Sequence, residues 1–301
     1  MSADYGNARV AAWRGRLLDL TAFQRLAESA SPAVLLAALG RDPEWRTVVR
    51  DVASLGGDPA AAIDVAIERH RAARLRALPP MFDGRERPLV EALVLSLDGE
   101  RVMALLRRRY AGESPDTIGP TIIPGALLDA ELLGRIARAV PLASAAALLG
   151  WAGLVSAVDQ RLLAGTIDGP WPQTEQVLVE VLDRGRLRRT AGRSADARYV
   201  RALIEREVAD RRQAATELAA SGVATAALVE RTATLARLDD VAAAGWVEPL
   251  GIQPVAAYVA AVDAEAIRLR VVVARVVAGW TAAMARPYLT RERRSWLGSS
   301  S

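Results

Sequence analysis

Apolar residues recur along this chain at steps of three and four. Leu89, Ala92, Leu93 and Leu97 form one such stripe, and Val200, Leu203 and Ile204 form another. That spacing places them on one face of an α-helix. Clusters of glycine and proline interrupt the periodic segments: "GGDP" at 56, "LPPMFDG" at 78, "SPDTIGPTIIPG" at 114 and "GTIDGPWPQ" at 165. Such clusters mark turns. Only "TIIP" at 121 has an extended character, and prolines flank it. The pattern predicts an all-α protein in which short helices alternate with long ones. The last long helix is predicted from Tyr258 to Trp280.

The pattern repeats. "LLDLTAFQRLAESASPAVLLAALG" from 17 and "LLDAELLGRIARAVPLASAAALLG" from 127 align at an offset of 110 residues. Leu17, Leu18, Asp19, Leu39 and Gly40 meet Leu127, Leu128, Asp129, Leu149 and Gly150. A second pair shares that offset: Val90, Ala92, Leu93, Ala104 and Gly112 meet Val200, Ala202, Leu203, Ala214 and Gly222. The expectation is three similar helical-bundle units, at 1–115, 116–225 and 226–301, with residues 290–301 forming a disordered tail. Segments 17–112 and 127–222 are expected to superpose.

Residues 139–158, "AVPLASAAALLGWAGLVSAV", carry no charge over a length that suits a membrane span. Pro141, Gly150 and Gly153 break the run, and its repeat partner at 29–48 contains Arg41, Asp42, Glu44 and Arg46. Two short buried helices with a turn near Gly150 are predicted instead.

Composition narrows the chemistry. All 39 basic residues are arginine, set against 35 acids, and the chain has no lysine, no cysteine and a single histidine. Acids offset the arginines, so nucleic-acid binding is weakly supported. The absence of cysteine removes disulfides and thiolate chemistry and fits a reducing compartment. The first residues have no apolar segment of the secretory kind. Without lysine there is neither a Walker A loop nor a Schiff base, and one histidine without cysteine supplies no ordinary metal cluster. His70 stands in "IERHRAARLR" and reads as solvated; the acid pair Asp239–Asp240 reads as a helix start or turn. The sequence therefore predicts a protein that is not an enzyme and needs no cofactor.

The opening segment holds the chain's one asparagine, Asn7. Ala8, Ala11, Ala12 and Gly15 form a stripe of small residues fitted to close helix contact, and Val10, Trp13 and Leu17 form a bulkier face. Asn7, Arg14 and Leu18 lie along a flank. Asn7 is either a helix cap or a polar clasp to the C-terminal helix, with Asn7 and Arg9 available to Glu265 or Asp263. The C-terminal helix is apolar nearly all round, which predicts burial. Glu265, Arg268 and Arg275 share a face, and Asp263 and Arg270 another. These charges either pair internally or present a surface to an acidic partner.

Together these landmarks carry a family resemblance. Tyr5, Asn7, Ala8, Arg9, Val10, Arg14, Gly15, Leu17 and Leu18 meet the pattern Y-x-N-A-R-V-x-x-x-R-G-x-L-L. Tyr258, Glu265, Ala266, Ile267, Arg268, Leu269 and Arg270 meet a closing-helix pattern. The chain resembles the C-subunit family of bacterial and archaeal V/A-type ATPases, whose eukaryotic counterpart is the d-subunit, as a divergent member. An acid of the family's long helices is kept as Asp98. The resemblance implies a funnel-shaped, non-catalytic central-stalk component on the cytoplasmic mouth of the membrane rotor ring. Its partners would be the ring's proteolipid subunits and the central shaft, with membrane contact only through the ring, and it would lie on the inner face of the plasma membrane. A helical adaptor outside such an ATPase is the other reading of the same helices.

Overall fold

A computed structural model describes residues 3–54, 58–221, 223–246 and 251–289. The expected disordered tail lies outside the described residues. The chain opens with α1 (Ala3–Arg14), followed by α2 (Leu20–Ala27), α3 (Pro32–Leu39), α4 (Arg46–Ala53), α5 (Pro59–Arg76) and α6 (Glu86–Tyr110). A single turn, α7 (Pro115–Ile118), leads to α8 (Ala130–Ala137), α9 (Ser144–Trp151), α10 (Ala157–Ala164), α11 (Trp171–Arg189) and α12 (Ala195–Ser221). The chain continues through α13 (Val223–Ala244), α14 (Gln253–Ala278) and α15 (Ala282–Leu289). Among the described residues there is no strand, and the stretch after Thr121 is irregular rather than extended into a sheet.

Local chemistry sets these boundaries. Asp19 caps α2 by accepting the Ala22 amide at 2.7 Å, and Asp129 caps α8 by accepting the Leu132 amide at 2.7 Å. Each satisfies an amide that the first helical turn leaves unpaired. Ser31 and Ser156 cap α3 and α10 in the same way. Gly279, at φ +67°, closes α14 in the left-handed conformation that glycine adopts without strain. The first residues of α2 to α6 and of α8 to α12 lie 109 to 112 positions apart, so helix order and length recur at the spacing of the sequence repeat. The third segment departs from that plan. Two long helices, α13 and α14, and the short α15 occupy it in place of three short helices followed by two long ones.

The uncharged run folds as short helices, with one correction. The turn falls after Trp151, at Gly153 with φ +69°, and Gly150 stays inside α9. Gly150 is needed there because the Gln160 side chain of α10 lies against it. No described helix is long and apolar enough to cross a membrane.

Three hydrophobic clusters form the interior, and they do not follow chain order. One gathers Val10, Leu78, Phe82, Val90, Leu97, Val200, Val255 and Tyr258 from both ends and the middle of the chain. A second, with Leu106, Leu133, Leu149, Leu163 and Val181, is built by α6 to α11. A third surrounds Trp45, with Phe23, Leu35, Ile63, Leu269, Val272 and Tyr288. Helix α6 passes from the first cluster to the second, and α14 from the first to the third. Burying both faces of such helices accounts for their mixed periodicity.

α1 turns the other way from its expected orientation. Ala8, Ala11, Ala12 and Gly15 are exposed, while Gly6, Asn7 and Val10 are buried. The bulky face is the one that finds an apolar partner, and burying it gains more than burying a stripe of alanines. The close approach is at Gly6, where an added Cβ would sit 2.5 Å from the Phe82 ring. At Gly15, one residue beyond α1, the nearest atom to such a Cβ is the Ala12 carbonyl at 3.7 Å. Gly6→Ala should therefore destabilise the protein by about 1–3 kcal/mol in urea unfolding, from overpacking. Gly15→Ala should stay within about 0.5 kcal/mol of the parent. Equal midpoints for both variants would contradict this packing.

Candidate functional site

The two chain ends meet through polar contacts at the centre of the first cluster. Asn7 lies inside α1, so it is no cap; its Nδ2 donates to the Gly251 carbonyl at 2.8 Å. Gly251, at φ +82°, forms the turn that leads into α14. From the other side Asp196 of α12 accepts the Ile252 amide at 3.2 Å. One turn thus joins α1, α12 and α14. The Leu18 amide, just after α1, donates to Glu265 Oε1 at 2.8 Å, and Arg74 of α5 reaches Glu265 Oε2 at 3.3 Å. Arg74 also donates to the Arg16 carbonyl at 3.0 Å. The rings of Trp13 and Tyr258 lie 6.0 Å apart. Burial pushes the Glu265 carboxyl up to about 7, against the pull of Arg74 and the Leu18 amide.

The remaining sequence-predicted residues separate into inner and outer sets. Arg9 does not reach Glu265 or Asp263. It is exposed and lies over the Tyr5 and Trp13 rings at 5.8 and 5.3 Å. Arg14 is exposed and covers Trp246 at 4.6 Å. Arg268 is buried; it donates twice to Asp239 at 2.8 and 2.6 Å and once to the Tyr288 carbonyl at 3.2 Å. Arg270 pairs with Glu68 of α5. Internal pairing is therefore the use made of the inward-facing arginines. Asp239 sits inside α13, not at a helix start, and its half-buried charge has Arg268 as partner.

Beside the clasp lies a cleft of about 760 Å³. Its walls are α6, α12 and α14, the long helices that follow each set of earlier helices, together with α11, α13 and Arg71 of α5. Its charges are interlocked. Arg71 donates to Asp263 Oδ1 at 2.7 Å and is bidentate on Glu100. Burial works against the Arg71 charge, yet Asp263 and Glu100 together outweigh it and hold the guanidinium above its ordinary pKa. Arg186 forks onto Glu207 at 2.9 and 2.8 Å, and Arg211 joins Glu207 to Asp183 at 3.0 and 2.9 Å. Burial opposes the Glu207 charge too, but Arg186, Arg211 and Arg237 pull its carboxyl down to about 2. A bidentate guanidinium–carboxylate pair fixes orientation as well as charge, so the cleft wall is held in one arrangement.

Sequence reasoning placed two groups wrongly or not at all. His70 is buried, not solvated, and stacks on Trp45 with ring centroids 3.9 Å apart. Its helix is rich in charge, yet that charge faces acids of α6 and α14 instead of water. Burial, aided by nearby Arg74, lowers the His70 pKa to about 3. Asp98 is fully buried and accepts the Leu127 and Leu128 amides, so it pins the segment between α7 and α8 onto α6. Burial raises its carboxyl to about 6 in spite of those donors. The kept family acid was the only sequence signal for it. Nothing marked Arg186 and Glu207, because their pairing is long-range.

Two outcomes follow from this arrangement. Asn7→Ala strands the Gly251 carbonyl and should cost about 1–3 kcal/mol in thermal or urea unfolding. His70 is neutral when folded, whereas the unfolded chain takes up a proton below pH 6.5. Its contribution is therefore complete above pH 6.5 and lost as pH falls towards 3. His70→Phe keeps a stacking ring without that titration. Between pH 7 and pH 5 the stability of the variant relative to the parent should rise by about 2 kcal/mol, at about 1.4 kcal/mol per pH unit. A gap that does not change with pH would rule out a neutral buried imidazole.

Residues 6–154 match the family model of the ATP synthase (C/AC39) subunit. The match runs from α1 through α9 and includes Asn7, Arg9, Arg14 and Gly15; the closing-helix residues Glu265, Arg268 and Arg270 lie beyond it. No curated protein shows a significant match to the chain. With the opening motif and this match in agreement, residues 6–154 of the chain belong to the ATP synthase (C/AC39) subunit family.

Proposed function

We propose that this chain is the non-catalytic central-stalk subunit of a V/A-type ATPase. It couples the rotating shaft of the soluble head to the membrane rotor ring, and so serves proton or sodium transport. The observation that carries this reading is the convergence of α6, α12 and α14 on one charged cleft. A coupling element has to transmit torque without shearing. Here each long helix is tied to another unit: α14 through Asp263 to Arg71 of α5, α6 through the Ala92 carbonyl to Arg186 of α11, and α12 through Asp196 to the Ile252 amide ahead of α14. In this reading the cleft is the socket for the shaft, and units 1–115, 116–225 and 226–301 form the funnel around it. The ring's proteolipid subunits hold the opposite end, and the protein sits peripherally on the inner face of the plasma membrane.

The socket carries five arginines and five carboxylates among its described lining residues, so its wall is near neutral and discriminates by pattern more than by net charge. Asp210 is exposed on that wall, with Arg237 at 3.7 Å. Asp210→Arg should leave the melting temperature nearly unchanged, since Asp210 is exposed and a pair of this length contributes little. When the chain is co-expressed with ring and shaft subunits of a V/A-type ATPase, the parent should co-purify with both. The variant should keep the ring and bind the shaft at least about tenfold more weakly. A structure of that complex should also overlay 17–112 on 127–222. Failure of the parent chain to enter the complex would overturn the assignment and favour an adaptor outside it.

A further inference from the structure

The uncharged run 139–158 does not cross a membrane, and the fold does not bury all of it. Val140 is 81% exposed, Trp151 74% and Val158 74%; Leu162, one turn along α10 from Val158, is 44% exposed. Helix α8 packs on α9 and α9 on α10, so these side chains stand on adjoining elements of the second unit. Arginines stand among them. Arg135 lies over the Trp151 ring at 5.4 Å, Arg138 precedes Val140 by two residues, and Arg161 shares a helix face with Val158 and Leu162. All three are exposed, and among the described residues no carboxylate pairs with any of them. The neighbouring Asp159 is already taken by Arg184 and Arg188.

The fold itself does not require this patch. At the equivalent place in the first unit, 110 residues earlier, the run holds Arg41, Asp42, Glu44 and Arg46, with Arg41 opposite Trp151. The second unit has exchanged charge for protruding apolar side chains and kept cations around them.

We propose that this patch of the second unit docks on the headgroup region of a bilayer that carries anionic lipid. Side chains this exposed project from the surface. A rigid protein partner would need a matching pocket for each, whereas a fluid interface closes around them. Tryptophan favours that interface because its ring is amphipathic. Unpaired arginines beside it supply the attraction to anionic headgroups. The inference rests on no part of the ATPase assignment.

The test uses the purified full-length chain and vesicles free of protein. It should float with vesicles of phosphatidylglycerol and phosphatidylcholine, bind phosphatidylcholine alone weakly, and detach as salt rises. Trp151→Asp and Val158→Asp, both at exposed positions, should keep the parent's circular dichroism and melting temperature. Their partitioning onto the anionic vesicles should fall at least about tenfold. Absence of flotation of the parent, or flotation that neither substitution weakens, would overturn the proposal. So would a dimer in sedimentation equilibrium that Trp151→Asp dissociates, because the patch would then be covered by a second copy. None of these outcomes depends on ring or shaft binding, so the ATPase assignment stands or falls separately.

Discussion

Burial of α14 on nearly every side is the constraint on which the rest of the structure depends. A helix apolar almost all round has no face to give to water. Its first half is therefore enclosed by α1, α5, α6 and α12, and its second half by the short helices of the first unit and by α13 and α15. The charges it does carry become buried with it. Asp263 and Glu265 are answered by Arg71 and Arg74 of α5, remote in sequence, and Arg268 by Asp239 of the preceding helix α13. The N-terminal segment is recruited by the same demand, since the Leu18 amide supplies the second donor to Glu265.

Such pairs specify more than they stabilise. Taking a guanidinium and a carboxylate out of water costs about as much as their attraction returns, and a greasy replacement of equal shape is often as stable. An arrangement with one partner missing is far worse. The pairs therefore exclude alternative registers of α14 against α5 and α13, which apolar contacts among many valines and alanines would tolerate. For the coupling role proposed above, a unique register between helices is the property of value. The raised carboxyls of Glu265 and Asp98 record the desolvation that this specificity costs.

Helix α6 plays a related part between the first two hydrophobic clusters. Leu93 and Leu97 belong to the cluster around α14, and Leu95, Val102 and Leu106 to the cluster of the second unit. A shift of one core would move the other through this helix. Asp98 lies at the changeover and holds the connecting segment by its amides, with Gly125 admitted because any side chain there would strike the carboxylate. The cleft opens where α6, α12 and α14 come together, so its ion pairs tie both units and the C-terminal helix into one wall.

Much of this was legible in the chain itself. Steps of three and four, together with glycine and proline breaks, determined an all-helical protein, because helix period and turn chemistry are local properties. Asp19 and Asp129 were readable as a repeated pair, and each caps a helix at the same place in its unit. The apolar girth of the last helix determined that it would be buried and that its charges would need partners. Which partners, and which faces, only the tertiary structure decided. The alanine stripe of α1 faces water, Arg9 leans on aromatic rings, His70 is stacked in the interior, and the turn of the uncharged run falls at Gly153. The reason is that a helical pattern fixes spacing around an axis but not the angle at which that axis meets its neighbours. That angle is settled by the largest apolar faces available, here Val10 and Trp13 against Phe82 and Tyr258, and by pairing of charges up to 192 residues apart, a sum over the whole molecule that no local window contains.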